Sequence, residues 1–114
     1  MADWSREDTY REMAYLMAHG ADWSQTQYIQ GHPKYRELNP ILGAHPSRGR
    51  VNNYFLAAGL LHPLISYSIP SIVEYFGGSP ETAQDVRKWW QLGSAAFEAG
   101  VVGRNAHMGI GFSW

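Results

Sequence analysis

The sequence contains no cysteine. The chain therefore forms no disulfide bonds, and it has neither a thiolate nucleophile nor the ligands of a zinc–thiolate site. An excess of basic residues is also missing, because 9 Lys and Arg residues are balanced by 10 Asp and Glu residues and the formal net charge is -1. A protein that binds duplex nucleic acid usually presents a strongly positive surface. We therefore expect no nucleic-acid partner.

Familiar catalytic and targeting motifs are absent as well. The segment Gly77-Gly78-Ser79-Pro80 lacks the lysine of a phosphate-binding loop, and no Gly-x-Ser-x-Gly nucleophile elbow occurs. The segment Met1–Asp8 carries acids where a secretory signal has basic residues. From these absences we expect no cofactor and no cleaved signal peptide.

Three segments of the sequence carry helix-start signals, and 114 residues suffice for a single domain, residues 1–114. Ser5 and Asp8 match a capping box, Ser47 suits the cap of a second helix, and Ser79-Pro80 suits the start of a third. The expected helices cover about residues 6–28, about 48–69 with a further turn to 76, and about 80–103 or beyond. The sequence thus predicts an all-α fold, a small bundle of three main helices.

A loop with several prolines joins the first two helices. Glu37 stands ahead of Asn39-Pro40, where its carboxylate can accept hydrogen bonds from free backbone amides. We therefore predict an ordered, structured loop. Residues 108–114 alternate apolar with small side chains, and we expect an extended tail that packs on the bundle.

The second helix has the length and composition of a membrane span. From Tyr54 to Val73, twenty residues, the only Asp, Glu, Lys, Arg or His is His62, and a bilayer requires about this length. The first and third helices carry charged side chains, and the mean hydropathy of the whole chain is -0.35. Small residues at Ala95, Ala99 and Gly103 favour close contact with another helix in either setting. A membrane-embedded bundle and a soluble one both remain open.

The charges of the first loop predict an orientation for the embedded alternative. Positively charged loops remain on the cytoplasmic side of a membrane. The loop of residues 30–50 would then face the cytoplasm from the bacterial inner membrane, whereas a soluble bundle would lie in the cytoplasm. The basic residues of this loop are Lys34, Arg36, Arg48 and Arg50, against the single acid Glu37.

Polar side chains recur on one side of the first and third helices. Carboxylate and imidazole are the ligands left without cysteine, so Asp22, Glu98, His62 and His107 would suit an acid–base pair or a metal ion. No two histidines stand four residues apart, and a structural polar network is the simpler interpretation, so no metal site is predicted. The residues expected to form the polar core and binding site are Asp22, Gln25, Glu37, Asn39, His62, Glu98, Asn105 and His107.

A family resemblance covers nearly the whole chain. The motifs that carry it are Asp22-Trp23-x-Gln25-Thr26, Glu37-x-Asn39-Pro40-Ile41-Leu42-Gly43, His45-Pro46-Ser47, Val51-Asn52-x-Tyr54-Phe55, Glu98-Ala99-Gly100 and Asn105. The chain resembles a family of small uncharacterised proteins of proteobacteria and their phages and prophages, usually predicted to be membrane proteins. The resemblance implies three helices and a membrane location, but no activity.

The leading functional hypothesis is a small membrane-associated protein of phage or prophage type that acts by binding a partner at the host envelope. The expected partners are the membrane and either another protein or a second copy of the chain. The first alternative is an intramembrane or membrane-surface hydrolase that uses Asp22, Glu98 and a histidine. The second alternative is a soluble virion or regulatory component.

Overall fold

Three long helices make up the architecture of the chain. A computed structural model describes residues 3–114 and contains α1 (Arg6–Gly31), α2 (Arg48–Tyr75) and α3 (Pro80–His107). The helices contain 26, 28 and 28 residues, so each is about 39 to 42 Å long. The bundle extends over 50 × 23 × 19 Å. The prediction of an all-α bundle of three main helices is confirmed.

Each helix begins at the serine that the sequence indicates. The Asp8 amide donates to Ser5 Oγ at 3.1 Å, and the Ser5 amide donates back to the Asp8 carboxylate at 2.8 Å, which completes the capping box. Ser47 accepts the amide of Arg50 at 3.1 Å in the same way. In α3, Ser79 caps the helix and Pro80 occupies its first turn.

The helix ends differ in detail from the expected ones. α1 includes Gly31 and stops at the extended residue His32, before Pro33, so Gly31 does not adopt the left-handed conformation expected of a C-terminal cap. α2 continues through residues 71–75 as one helix, and these residues do not form a separate turn. It ends at Tyr75, and Gly77, two residues further on, has a φ of 91°, the left-handed conformation that glycine tolerates best.

The interior of the bundle is mainly polar. Among the described residues, the apolar core cluster consists of Leu42, Val51 and Phe55, with Trp23 and Tyr54 packed against it. Arg87 is 1 % exposed and Asp8 is fully buried, which is rare for charged residues unless they are paired. The buried polar residues are Asp8, Glu12, His19, Asp22, Ser24, Gln25, Thr26, Gln27, His62, Ser66, Arg87, Gln91 and Asn105.

The exterior is correspondingly apolar. The exposed fractions of Met17, Leu64 and Phe97 are 73 %, 61 % and 70 %. Within residues 10–21 of α1, 53–73 of α2 and 89–103 of α3, every exposed side chain is uncharged. We call this surface the apolar belt. A soluble bundle has the opposite arrangement, with apolar side chains turned inward.

Side-chain hydrogen bonds join the helices in pairs. The bond from Arg11 Nε to Gln91 Oε1, 2.9 Å, links α1 to α3. The bond from Trp23 Nε1 to Asn52 Oδ1, 3.0 Å, links α1 to α2. Polar groups thus provide much of the specificity that apolar packing provides in a soluble core.

A proline in α2 leaves a backbone carbonyl free to accept a hydrogen bond from α3. Pro70 has no amide hydrogen to donate to the carbonyl of Ser66, four residues earlier. Arg87 Nε of α3 donates to this carbonyl at 3.0 Å. The acceptor that the helix leaves free is therefore used by the neighbouring helix.

Candidate functional site

A cavity of about 710 Å³ lies at the end of the bundle that carries the first loop. All three helices, the loop and the C-terminal tail contribute to its walls. We call it the loop-end crevice. Its lining residues are Asp22, Ile29, Lys34, Tyr35, Arg36, Glu37, Leu38, Asn39, Pro40, Tyr54, Phe55, Phe97, Glu98, Val101, Arg104, Asn105, Met108 and Ile110. The volume is within the usual range for small-molecule sites.

Two carboxyl groups from different helices meet in this crevice. Asp22 of α1 is buried, with 9 % of its surface exposed, and its carboxyl group is a close neighbour of that of Glu98 of α3. Two ionised carboxylates in one buried site repel each other, so such a pair is stabilised when its members share one proton. Glu98 Oε2 is buried and has no hydrogen-bond partner among the residues that the structure describes.

A third carboxylate enters the crevice from the loop. Glu37 Oε1 accepts the amides of Leu38 and Asn39 at 3.0 and 3.1 Å, as the sequence predicts. Glu37 Oε2 accepts the hydroxyl of Thr26 at 3.1 Å, and that hydroxyl also lies 3.4 Å from Asp22 Oδ1. Thr26 therefore connects the loop carboxylate to the pair on the helices.

Two amide side chains fix α1 against α3 at the same level. Gln25 is fully buried, and its Nε2 donates to the carbonyl of Val102 at 3.0 Å. Asn105 Nδ2 donates to Gln25 Oε1 at 3.1 Å. Asn105 also lines the crevice, whereas Gln25 is not part of the lining and holds Asn105 through this hydrogen bond.

The tail and the loop close the crevice at its end. The Ser113 amide donates to the carbonyl and to the hydroxyl of Ser24, at 3.1 and 3.0 Å. Ile110, 4 % exposed, forms part of the wall. The expected extended tail packed on the bundle is confirmed. In the loop, Asn39 Oδ1 accepts the amide of Ile41 at 2.9 Å, which fixes the turn at Pro40.

Basic side chains lie at the mouth of the crevice. Lys34, Arg36 and Arg104 line it and are exposed, whereas Asp22 is buried. Charge is therefore separated within the site, with carboxyl groups at its floor and cations at its mouth.

Both α2 and α3 contribute side chains to the wall of the crevice. At the opposite end the two helices are joined by Ser66, whose hydroxyl accepts Trp90 Nε1 at 2.9 Å. At the loop end, Tyr54 of α2 and Phe97 of α3 line the cavity between the helices. Phe97 belongs to the apolar belt as well, so the wall of the crevice is continuous with the outer surface of the bundle.

His62 does not join the carboxyl pair, which corrects the expected cluster of Asp22, Glu98, His62 and His107. Its Nδ1 donates to Glu12 Oε2 at 2.6 Å, one helical turn or more away from the crevice. Its ring lies between Tyr15, at 3.5 Å between ring centroids, and Trp90, at 4.7 Å. The reason is the register of α2: Phe55, not His62, stands at the level of Asp22.

His107 also lies outside the site. It is exposed in the last turn of α3 and is not part of the crevice lining. Of the eight residues expected to form the site, five line the crevice, namely Asp22, Glu37, Asn39, Glu98 and Asn105.

A second polar cluster, which we call the remote network, occupies the other half of the bundle. Asp8 accepts Arg87 Nη1 at 2.8 Å and Arg11 Nη2 at 2.6 Å. Glu12 accepts Ser66 Oγ at 2.6 Å in addition to His62. The members of the remote network are Asp8, Arg11, Glu12, His62, Ser66, Gln84, Arg87, Trp90 and Gln91.

The spacing of polar residues along α1 could have predicted the α1 members of the remote network. The buried row of Tyr15, His19, Asp22 and Thr26 continues toward the N-terminus at the same spacing, through Glu12 and Asp8. The crevice residues Arg104 and Tyr54 have no comparable signal, because they do not belong to this buried row of α1 and contribute to the crevice from other helices.

Within residues 3–114, no group of three His, Asp or Glu side chains is placed to hold a metal ion. The chemistry available to the crevice is therefore that of its own side chains: proton exchange at the carboxyl pair, and binding of positive charge at the floor and of negative charge at the mouth.

No family model, curated protein or solved structure matches the chain. The family resemblance seen in the sequence motifs stays a prediction.

Proposed function

We propose that the protein is an integral membrane protein in which all three helices cross the bilayer, and that it acts by binding a partner in the loop-end crevice. One observation carries the proposal: the polar residues are inside the bundle and the apolar belt is outside. In water such an exterior would expose an apolar surface far larger than monomeric proteins present. In a bilayer the same exterior faces hydrocarbon, and polar residues belong in the interior.

Helix length agrees with this proposal. α2 is long and apolar enough to cross a membrane by length and composition. α1 and α3 are of similar length. Their mean hydropathy is lower because each helix combines an apolar outer side with a polar inner side. Lys88 and Arg104 flank the belt on α3, where long basic side chains reach the headgroup region.

The proposed location is the bacterial inner membrane, with the loop of residues 30–50 in the cytoplasm. The basic residues of this loop support that orientation. The loop-end crevice then lies at the cytoplasmic headgroup level, where a lipid or a protein of the envelope can reach it. A protein of phage or prophage type that binds such a partner fits this arrangement.

The absence of native cysteine makes a direct test simple. Single cysteines at Met17 and Leu64 lie in the belt, whereas cysteines at Lys34 and Glu81 lie at opposite ends of the bundle. In membrane vesicles, a charged maleimide should leave the first two unlabelled. It should label Lys34→Cys only in inverted vesicles and Glu81→Cys only in right-side-out vesicles. Labelling after denaturation in detergent controls for the amount of each protein.

Two results would overturn the proposal. One is extraction of the wild-type protein from membranes by alkaline carbonate. The other is equal labelling of all four cysteines without detergent.

A second candidate function, an intramembrane hydrolase, is favoured by one observation, the close pair of carboxyl groups of Asp22 and Glu98 in a cavity. The ionised member can take a proton from water as the water oxygen bonds to an ester or amide carbon. The protonated member then gives its proton to the leaving group as the bond to that group breaks. His62 has no part in this scheme because it lies in the remote network.

The hydrolase is tested with lipid extracts. Purified protein is incubated with bacterial lipids, and the products are measured by mass spectrometry. A hydrolase releases fatty acid or a free headgroup, and Asp22→Asn and Glu98→Gln abolish the release, whereas Glu81→Gln, an exposed substitution on α3, does not. No release by the wild-type protein rules out lipid ester hydrolysis.

A further inference from the structure

The distribution of charge in the loop-end crevice points to one class of ligand. We propose that the crevice binds an aminophospholipid, with the ammonium group at the carboxyl floor, the phosphate at the basic mouth and the acyl chains along the apolar belt. This inference rests on the proposed membrane location and names the partner of that site.

The floor of the crevice suits an ammonium group. Asp22 and Glu98 hold one proton between them, and Glu37 adds a carboxylate from the loop. Glu98 Oε2 is buried and has no hydrogen-bond partner among the described residues. A buried oxygen of this kind is costly unless a ligand donates to it. A primary ammonium has three donors and a positive charge, so it satisfies both the open oxygen and the charge of the floor.

The mouth of the crevice suits a phosphate. Lys34, Arg36 and Arg104 line it and extend to solvent. Guanidinium groups bind phosphate through paired hydrogen bonds, and lysine adds a flexible positive charge. An anion alone would not be drawn to the floor, because the carboxylates there repel it. A ligand with a cation at one end and a phosphate beside it matches both parts of the site.

The walls of the crevice suit the chains of a lipid. Tyr54 of α2 and Phe97 of α3 both line the crevice. Phe97 is also 70 % exposed in the apolar belt. A headgroup in the crevice can therefore keep its acyl chains outside the bundle, against the belt, without crossing a polar surface.

Native mass spectrometry of the detergent-solubilised protein tests the proposal. The protein is mixed with equal amounts of phosphatidylethanolamine and phosphatidylglycerol of matched acyl chains. We expect retention of phosphatidylethanolamine over phosphatidylglycerol by about tenfold or more, the ratio that one charge-assisted hydrogen bond supplies. Equal retention of the two lipids, or preference for phosphatidylglycerol, would overturn the proposal.

Three variants assign the selectivity to the crevice. Glu98→Gln should abolish the preference, because the neutral amide loses the charge and gains donors. Arg104→Gln should weaken retention of both lipids, because they share the phosphate. The control Glu81→Gln, an exposed change near the start of α3, should leave the preference intact. If Glu98→Gln keeps the full preference, the carboxyl floor is not the ammonium site.

Two further measurements distinguish lipid binding from binding of the headgroup alone and from lipid hydrolysis. Soluble phosphoethanolamine at millimolar concentration should compete weakly, because it lacks the acyl chains; competition as strong as that of the whole lipid would overturn the role of the belt. Recovery of the bound lipid intact supports binding, whereas recovery of a cleaved lipid overturns it in favour of the hydrolase. Cysteine labelling tests the membrane location independently, so a failure there is distinguishable from a failure of lipid selectivity.

Discussion

The carboxylate of Glu12 lies at 2.6 Å from both His62 Nδ1 and Ser66 Oγ, and thereby connects α1 to two successive turns of α2. Gln91 Nε2 of α3 donates to the same carboxylate at 3.2 Å. One buried acid therefore accepts hydrogen bonds from both other helices. In the remote network it has the role that a large apolar side chain has in a soluble core.

Removing this carboxylate should be strongly destabilising. Glu12→Ala leaves buried His62 Nδ1 without its acceptor and removes one of the two acceptors of Ser66 Oγ and of Gln91 Nε2. An unsatisfied buried donor costs about 1 to 3 kcal/mol. The free energy of unfolding, measured by titrating detergent micelles with dodecyl sulfate, gives the value. Glu7→Ala in the first turn of α1 is the matched control, because Glu7 is exposed and its removal should cost about 1 kcal/mol or less. Equal losses for the two variants would contradict the assigned role of Glu12.

The carboxyl pair of the crevice should behave as one unit. Asp22→Ala and Glu98→Ala each remove one member of the same close carboxyl pair, so their effects on the free energy of unfolding should not add. We expect a coupling of about 0.5 to 3 kcal/mol in a double-mutant cycle. Asp85→Ala, near the start of α3 and exposed, should be close to neutral. Fully additive losses would mean that the two carboxyl groups are independent.

Substitutions of two alanines on α3 should have very different effects on the free energy of unfolding. Ala99 is exposed, so the close contact with another helix that the sequence favours is not made at Ala99 within one bundle. Ala99→Leu should therefore change the free energy of unfolding by about 0.5 kcal/mol or less. Ala83 is fully buried, and Ala83→Leu should cost about 1 to 3 kcal/mol through overpacking. A large loss of unfolding free energy for Ala99→Leu at low protein concentration would show that Ala99 does not face outward from the bundle.

The first loop should exchange its amide hydrogens slowly at defined positions. The amide of Glu37 donates to the Ala44 carbonyl at 2.8 Å, and the amides of Leu42 and Gly43 donate to Asn39, each at 3.1 Å. Hydrogen–deuterium exchange followed by mass spectrometry should show protection at these residues. Glu37→Ala should increase exchange at residues 38–39, whose amides the carboxylate accepts. Uniformly fast exchange from residue 34 to 46 would mean that the loop is a mobile linker.

Helix starts could be predicted from the sequence because they depend on local chemistry. The serine caps at Ser5, Ser47 and Ser79 act on amides three residues away, so the signal and its effect lie in the same short segment. The end of α2 was harder to place: residues 71–76 were expected to form a further turn, but α2 continues through Tyr75. The carbonyl that Pro70 leaves free accepts a hydrogen bond from Arg87 of α3, and that partner is distant in sequence.

The candidate site was predicted in part for a similar reason. Asp22 and Glu98 stand near the middle of long helices, so a need for partners was evident from their positions. Which partner each finds depends on how far the helices slide along one another. That register placed Glu12 beside His62 and left the crevice without a histidine. Periodicity describes the faces of one helix and carries no information about the level at which two helices meet.

The carbonyl of Ser66 has a consequence for the order in which the bundle assembles. While α1 and α2 form a hairpin by themselves, this carbonyl lacks the donor that Pro70 cannot supply. An acceptor without a donor in hydrocarbon is unfavourable by several kcal/mol. When α3 packs against the hairpin, Arg87 Nε donates to this carbonyl, and Arg87 Nη1 pairs with the Asp8 carboxylate. In the proposed membrane setting, α1 and α2 alone therefore leave one acceptor unsatisfied, and Pro70→Ala, which restores a donor within α2, should weaken the packing of α3 although it makes α2 a better helix.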